Sequence, residues 1–119
     1  MQDDERSMEI DTGKALVLLG FAQKAGKVIS GDTAAQEAIL RGKAKLVIVA
    51  EDAAQSTRNN FLHLSNRQGV KVIFYAKKEV LGHYIGKPPR AVVVVTETGF
   101  ARSIQEAMER KTKRADGPI

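Results

Sequence analysis

Two runs of consecutive apolar residues place the strongest constraint on how this chain of 119 residues can fold. They read "LVIVA" at residues 46–50 and "AVVVVT" at residues 91–96, and neither alternates apolar with polar side chains. A strand without alternation is buried on both faces, which happens where helices cover both sides of a sheet. The two runs therefore predict an α/β domain in which the sheet is the central layer.

The rest of the chain alternates between helical and strand-like patterns. Periodicity predicts helices at residues 10–25, 32–41, 56–68, 77–85 and 98–111, and further strands at residues 27–30 and 70–76. Adjacent prolines in "GKPPR", residues 86–90, predict a loop, because proline is excluded from the interior of helices and strands. Alternation with short loops predicts a layered α/β/α domain with a largely parallel or mixed sheet.

The composition of the chain and the sequence of its two ends indicate how it is divided into a domain and flanking segments. We expect a flexible acidic N-terminus at residues 1–9, a single domain at residues 10–111 and a flexible tail at residues 112–119. Cysteine is absent, which excludes disulfides and cysteine-bound metals. No apolar run approaches the ~20 residues of a membrane helix, and the first residues lack the apolar core of a secretory signal. These features favour a cytoplasmic protein without a membrane partner.

The net charge of +5 is unevenly distributed along the chain. Residues 1–11 hold five carboxylates and one arginine, a charge of −4, so the remaining residues carry +9. A basic body of this size favours polyanionic partners, nucleic acid among them. The alternative is a basic surface that only keeps the protein soluble.

Residues with catalytic potential do not form a recognisable site. The segment "GFAQKAGKV" lacks the spacing of a nucleoside-triphosphate loop. His63 and His83 lie on different predicted helices, without a partner nucleophile or metal-ligand spacing. Glu51 and Asp52 close the second strand, where carboxylates can hold Mg²⁺ but more often begin a turn and cap the next helix. We therefore predict a protein that is not an enzyme, with no catalytic residues, no metal site and no cofactor.

The stretch "GKVISGDTAAQEAILRG" joins a strand to a helix at Gly31. The unpaired N–H groups and partial positive charge of a helix start attract phosphate, and glycine allows another backbone to approach. The alternative is a helix merely capped by Asp32 or Thr33 beside solvated lysines.

Three segments, "GKVISG", "LRGKAKLVIVAED" and "GVKVIFYAKKEVLGHYIGK", together resemble the kink-turn RNA-binding ribosomal proteins. This family includes the large-subunit proteins seven-Ae and thirty-e, and the resemblance, strongest to a bacterial branch, covers about residues 16–104. It implies a three-layer α/β/α sandwich with a four-stranded mixed sheet. It also implies non-catalytic binding of a sharply bent, structured RNA, possibly ribosomal RNA, with no small-molecule substrate.

The resemblance also implies where RNA binds: at the glycine and the first turns of the following helix, and at the loop before the last strand. The residues implied in RNA binding are Lys27, Gly31, Asp32, Thr33, Gln36, Lys87, Pro88, Pro89 and Arg90. The typical asparagine, glutamate and lysine of the family fall on Thr33, Ala34 and Glu37, which favours recognition of shape and phosphate over base identity. Ala34 and Glu37 also favour the alternative of a protein-interaction module that kept the fold and lost specific RNA readout.

Overall fold

The computed structural model describes the backbone of residues 2–116 and the side chains of residues 13–110. Within it the chain forms α1 (Gln2–Lys24), β1 (Val28–Ser30), α2 (Asp32–Leu40), β2 (Leu46–Val49), α3 (Gln55–Gln68), β3 (Val72–Phe74), α4 (Lys78–Tyr84), β4 (Val92–Val95) and α5 (Thr98–Asp116). Each predicted helix and strand is present, which confirms the alternating α/β pattern. The flexible ends predicted at residues 1–9 and 112–119 stay predictions, because the side chains there lie outside the described residues.

The four strands form one mixed sheet in the order β1-β4-β2-β3. The strand β4 is antiparallel to both of its neighbours, whereas β2 and β3 are parallel. Ser30 is opposite Val93, and Val49 is opposite both Val92 and Phe74. One end of the sheet, which we call the upper end, therefore carries the exits of β1, β2 and β3 and the entry to β4.

The two central strands are fully buried on both faces, as their apolar sequence predicts. Helices α1, α4 and α5 pack together on one face, and α2 and α3 pack on the other. Leu19 of α1 and Ile104 of α5 are completely buried on the first side, and Ile39 of α2 and Phe61 of α3 on the second. The predicted three-layer α/β/α sandwich is therefore confirmed.

Helices α1 to α4 each end at a glycine in the left-handed region, with φ between 69° and 75° at Gly26, Gly42, Gly69 and Gly86. At α4 the N–H of Gly86 donates to the His83 carbonyl at 3.1 Å, and the N–H of Lys87 donates to the Gly82 carbonyl at 2.8 Å. Glycine adopts this conformation without a Cβ penalty. The cap at Gly86 sets the direction in which the loop at residues 86–90 leaves α4.

Candidate nucleic-acid interface

The start of α2 has a glycine at its N-cap position and lacks a side-chain cap. Gly31 has φ 96° and ψ 150°; its N–H donates to the Val92 carbonyl at 3.1 Å, and its own carbonyl accepts the Ala35 N–H at 2.9 Å. Asp32 and Thr33 are exposed, and neither makes a capping hydrogen bond. The alternative in which one of them caps this helix is therefore wrong. Among the described residues, the first-turn N–H groups at residues 32–34 have no hydrogen-bond partner beyond the helix.

The loop at residues 86–90 leads into β4, the strand that pairs with β1, and so it reaches the helix start at Gly31. The Nε of Arg90 donates to the Ser30 hydroxyl at 3.1 Å, and the Arg90 N–H donates to the Lys78 carbonyl at 3.0 Å. Arg90 is half-buried, and Ser30 directly precedes Gly31. The structure thus brings together two predicted RNA-binding segments that lie more than fifty residues apart in the chain.

The loop also lies directly on the backbone of α4. A Cβ added at Gly82 would be 2.2 Å from the Pro88 carbonyl oxygen and 2.8 Å from the Lys87 carbonyl oxygen. A contact this close is possible only at glycine. Lys87, Pro88 and Pro89 are consequently held against α4 with their side chains exposed to solvent.

Lys27 does not lie with the other predicted RNA-binding residues. It precedes β1, whereas Gly31 follows it, so the length of the strand places them about 13 Å apart at opposite ends of the sheet. The Lys27 carbonyl accepts the Thr96 N–H at 2.9 Å, and its ammonium is near the carboxylate of Glu97. Its predicted RNA contact stays a prediction.

Gln36 lies on the exposed face of α2, one turn beyond Asp32 and next to Glu37. Glu37 pairs with Arg41 at 3.6 Å, and both side chains are more than 60% exposed. An ion pair this exposed contributes little to stability, but it offsets part of the negative charge at Glu37.

The upper end of the sheet also holds cations that our sequence analysis missed. Arg58 stacks its guanidinium over the Phe74 ring at 4.8 Å and donates from Nη1 to the Glu51 carbonyl at 3.1 Å. Lys77 and Lys78 follow β3 at this end and are exposed. Lys77 and Lys78 could have been found from their position just after strand β3, the rule applied to Glu51 and Asp52 after β2.

Asp52 has a structural role at the same end. Its Oδ1 accepts the backbone N–H of Lys78 at 2.9 Å, which caps the first turn of α4. The expectation that Glu51 or Asp52 caps the next helix is therefore wrong, because α3 begins at an N-cap Ala54 without a side-chain cap and Asp52 instead caps α4. Across the described residues, no group of three or more potential ligands is arranged to hold a metal ion.

Cations and anions both occur at this upper end, and some are neighbours. Lys78 donates its backbone N–H to Asp52, and Arg58 donates to the Glu51 carbonyl. Lys87 and Arg90 are in the loop and Lys78 is in α4, whereas Glu51 and Asp52 follow β2. The charged residues of the loop at residues 86–90 are both cations, so a polyanion would be attracted most directly to the loop. Asp32 in the first turn of α2 and Glu79 in the first turn of α4 oppose this attraction on either side of the loop.

Comparison with known proteins places the chain in a family. The family model described as "Ribosomal protein L7Ae/L30e/S12e/Gadd45 family" matches residues 14–105. The chain belongs to this family, and its predicted family resemblance is confirmed.

Individual relatives agree with that assignment. The chain is 39% identical over 87 residues to the "RNA-binding protein YlxQ" of Bacillus subtilis, covering 73% of this chain and 87% of that protein. It is 31% identical over 105 residues to the "Large ribosomal subunit protein eL8" of Thermoplasma volcanium, covering 84% and 87%. A solved structure, the "Giardia lamblia 15.5kD RNA binding protein", superposes with a TM-score of 0.71 over 89% of this chain and 88% of that one. At 21% identity this superposition bears on the fold alone.

The helices carry no membrane-spanning candidate. Within the described part of the chain, none is both long and apolar enough to cross a bilayer.

Proposed function

We propose that this protein binds structured RNA without catalysis, recognising a sharply bent, kink-turn-like stem at the upper end of its sheet. The observation that carries the proposal is the Arg90–Ser30 hydrogen bond of 3.1 Å, which joins the loop at residues 86–90 to the uncapped helix start at Gly31. The names of the Bacillus subtilis and Thermoplasma volcanium relatives support RNA, and ribosomal RNA in particular, as the partner. We place this activity in the cytoplasm.

The free N–H groups of the first turn of α2 provide the central contact. They point their partial positive charge along the helix axis, so an RNA phosphate or a base edge can accept from them. Thr33 adds one hydroxyl group, and Ala34 adds no polar atom. Because a well-placed pair of base contacts is worth about 1–3 kcal/mol of discrimination, this surface distinguishes bases less than it recognises backbone shape.

The loop provides the second wall of the binding surface. Arg90 uses only Nε on Ser30, so the four N–H groups at its guanidinium tip are available to a phosphate. Lys87 is exposed and carries a further positive charge toward the same RNA backbone. Pro88 and Pro89 keep the loop rigid, which lowers the entropic cost of ordering it on binding.

A salt titration tests this assignment with a matched control. Arg90→Glu should weaken binding of a kink-turn duplex and reduce the slope of log affinity against log salt by about one ion. The control is Arg67→Glu, the same charge change on an exposed residue in the last turn of α3, at the opposite end of the sheet. Gel-shift titrations at several salt concentrations measure both variants against a kink-turn duplex and a straight duplex of equal length. Equal slopes for the two variants, or equal affinity for the two RNAs, would contradict the proposal.

Lys27→Glu measures how far the RNA extends. Lys27 lies at the other end of β1. Reversing its charge should therefore change the slope of log affinity against log salt only if the RNA backbone follows the protein to that end.

A protein-interaction module on the same fold is the second candidate. The exposed Ala34 and Glu37 at the helix start favour it, because neither side chain supports a nucleic-acid contact. Ultraviolet crosslinking from cells followed by sequencing of attached RNA separates the two. Purified protein free of nucleic acid, with no crosslinked RNA, would favour the interaction module.

A further inference from the structure

An exposed stripe on α1 combines apolar and basic side chains. Lys14, Val17, Phe21 and Lys24 follow one another at spacings of three, four and three residues, so they share one face of the helix. Val17 is 45% exposed and Phe21 is 53% exposed. Large apolar side chains grouped at the surface mark a binding site more often than isolated ones do.

The stripe forms one side of an open groove of about 350 Å³. Its walls are Val17, Gly20 and Phe21 of α1, and Tyr84, Ile85 and Gly86 at the end of α4. Gly20 allows the two helices to approach, because a Cβ there would be 3.1 Å from the Tyr84 carbonyl oxygen. Tyr84 is 38% exposed, and the His83 ring packs edge-on against it at 5.3 Å. We call this feature the α1–α4 groove.

The charge around the α1–α4 groove is positive. Lys24 lines it, Lys14 lies on the same stripe of α1, and Lys87 follows Gly86. Among the described residues that line the groove, none is acidic. Two partly exposed aromatic rings with a cationic rim match the chemistry that binds unpaired nucleotides, since the rings stack on bases and the cations attract the phosphates.

The α1–α4 groove is continuous with the proposed RNA surface. Gly86 lines the groove and is also the first residue of the loop that ends at Arg90. A fully extended segment of five residues spans at most ~17 Å, so an RNA bound at Arg90 has only a short distance to reach the groove.

We infer that the α1–α4 groove binds unpaired nucleotides of a single-stranded segment that flanks the structured RNA. This inference rests on the proposed function, because the groove is reached by RNA already held at the upper end. A second copy of the chain fits the groove less well. A symmetric contact would bring Lys14 and Lys24 of one copy close to the same cations of the other, and like charges oppose each other at an interface.

The experiment compares two RNAs that differ only in a single strand. One is a blunt kink-turn duplex, and the other carries a single-stranded extension of about six uridines, within the usual footprint of one binding domain. Stacking of one base should tighten binding of the extended RNA by about tenfold over the blunt one. Phe21→Ala should remove most of this gain, and Phe21→Tyr, which keeps the ring, should retain it.

The matched control is Leu62→Ala, which truncates a side chain of similar exposure (40%) on α3, in the opposite helical layer. It should keep the full gain from the extension. Fluorescence anisotropy measures the affinities, and thermal unfolding verifies that each variant is folded.

Each alternative result has a distinct meaning. If the wild-type protein binds neither RNA, the proposed function itself is wrong. If it binds the blunt duplex but gains nothing from the extension, or if Phe21→Ala keeps the gain, the groove is not a nucleotide site. Sedimentation that finds a wild-type dimer, dissociated by Phe21→Ala, would assign the groove to a second copy and overturn the inference.

Discussion

Replacing Gly82 by alanine tests how the loop at residues 86–90 is held in place. The new Cβ would lie 2.2 Å from the Pro88 carbonyl oxygen and 2.7 Å from its carbonyl carbon. Both are backbone atoms of a loop with two adjacent prolines, so they cannot move aside as the tip of a flexible side chain would. The loop or the end of α4 must retreat by about 1 Å to reach ordinary contact distance.

Two opposing contributions set the size of the effect. Overpacking a filled site costs about 1–3 kcal/mol, whereas alanine in a helix interior is about 1 kcal/mol better than glycine. The difference lies between about 0 and 2 kcal/mol. We therefore expect the free energy of unfolding to fall by about 1 kcal/mol, which corresponds to a decrease of roughly 5 °C in Tm for a domain of this size. The displacement also stretches the hydrogen bond from the Lys87 N–H to the Gly82 carbonyl, now 2.8 Å, and shifts Arg90 away from Ser30.

Gly13→Ala is the matched control, because it makes the same chemical change inside α1. A Cβ at Gly13 meets no atom within 4 Å, so the substitution should raise the free energy of unfolding by about 0.5–1 kcal/mol. Thermal unfolding by circular dichroism measures stability, and a gel shift with a kink-turn duplex measures binding. We expect Gly82→Ala to weaken RNA binding and Gly13→Ala to leave it unchanged.

The two variants should thus change stability in opposite directions. Equal or higher stability for Gly82→Ala than for Gly13→Ala would refute the inferred packing of the loop on α4. A destabilised Gly82→Ala with undiminished RNA affinity would keep the packing and refute the role of the loop as a wall of the RNA site.

Three further predictions concern stability. The N–H of Phe100 donates to Glu97 at 2.7 Å, and this bond, with a second from the Gly99 N–H and the nearby Lys27 ammonium, lowers the pKa of Glu97 below its usual 4.5. The stabilisation that the ionised Glu97 carboxylate gives the folded protein is therefore fully present above pH 4.5 and is lost as the pH falls through the lower folded-state pKa. Glu97→Gln should flatten this part of an acid-unfolding curve. Ser65 is completely buried, and its hydroxyl has no hydrogen-bond partner among the described residues, so Ser65→Ala should raise the unfolding free energy in urea by up to about 1 kcal/mol; a decrease would indicate a hidden partner. Asp52→Ala removes the cap on α4 and should cost about 1 kcal/mol in thermal unfolding, equally with and without Mg²⁺; a loss seen only with Mg²⁺ would indicate a metal site.

The fold could be predicted from the sequence because its central strands are apolar on both faces. The runs at residues 46–50 and 91–96 became β2 and β4, and both are buried throughout. The outer strand β3 is shorter than predicted: residues 70–76 shrink to Val72–Phe74. The reason is its position at the edge of the sheet, where a strand pairs on one side only and loses regular pairing sooner at its ends.

The candidate site was less predictable because it depends on which strands are neighbours. Gly31 and Arg90 meet because β1 pairs antiparallel with β4, and neither the pairing nor its register can be derived from the local pattern. Lys27 and Gly31 are close in the chain but lie at opposite ends of β1, because a strand moves the chain about 3.3 Å per residue. Arg58 was missed for the opposite reason, since only the packing of α3 against β3 places it over Phe74.

The chemical groups on the helix start, the loop and the α1–α4 groove indicate which feature of the RNA each part would recognise. On the proposed function, the helix start provides backbone N–H groups with one hydroxyl at Thr33, so it would recognise the position of a phosphate more than the identity of a base. The loop adds cations that any RNA backbone would attract. Rings that could stack on a base lie beyond the loop, at Phe21 and Tyr84. Selectivity on the proposed surface would come from a sharp bend followed by an accessible single strand, because only an RNA with both features would contact the helix start, the loop and the groove together.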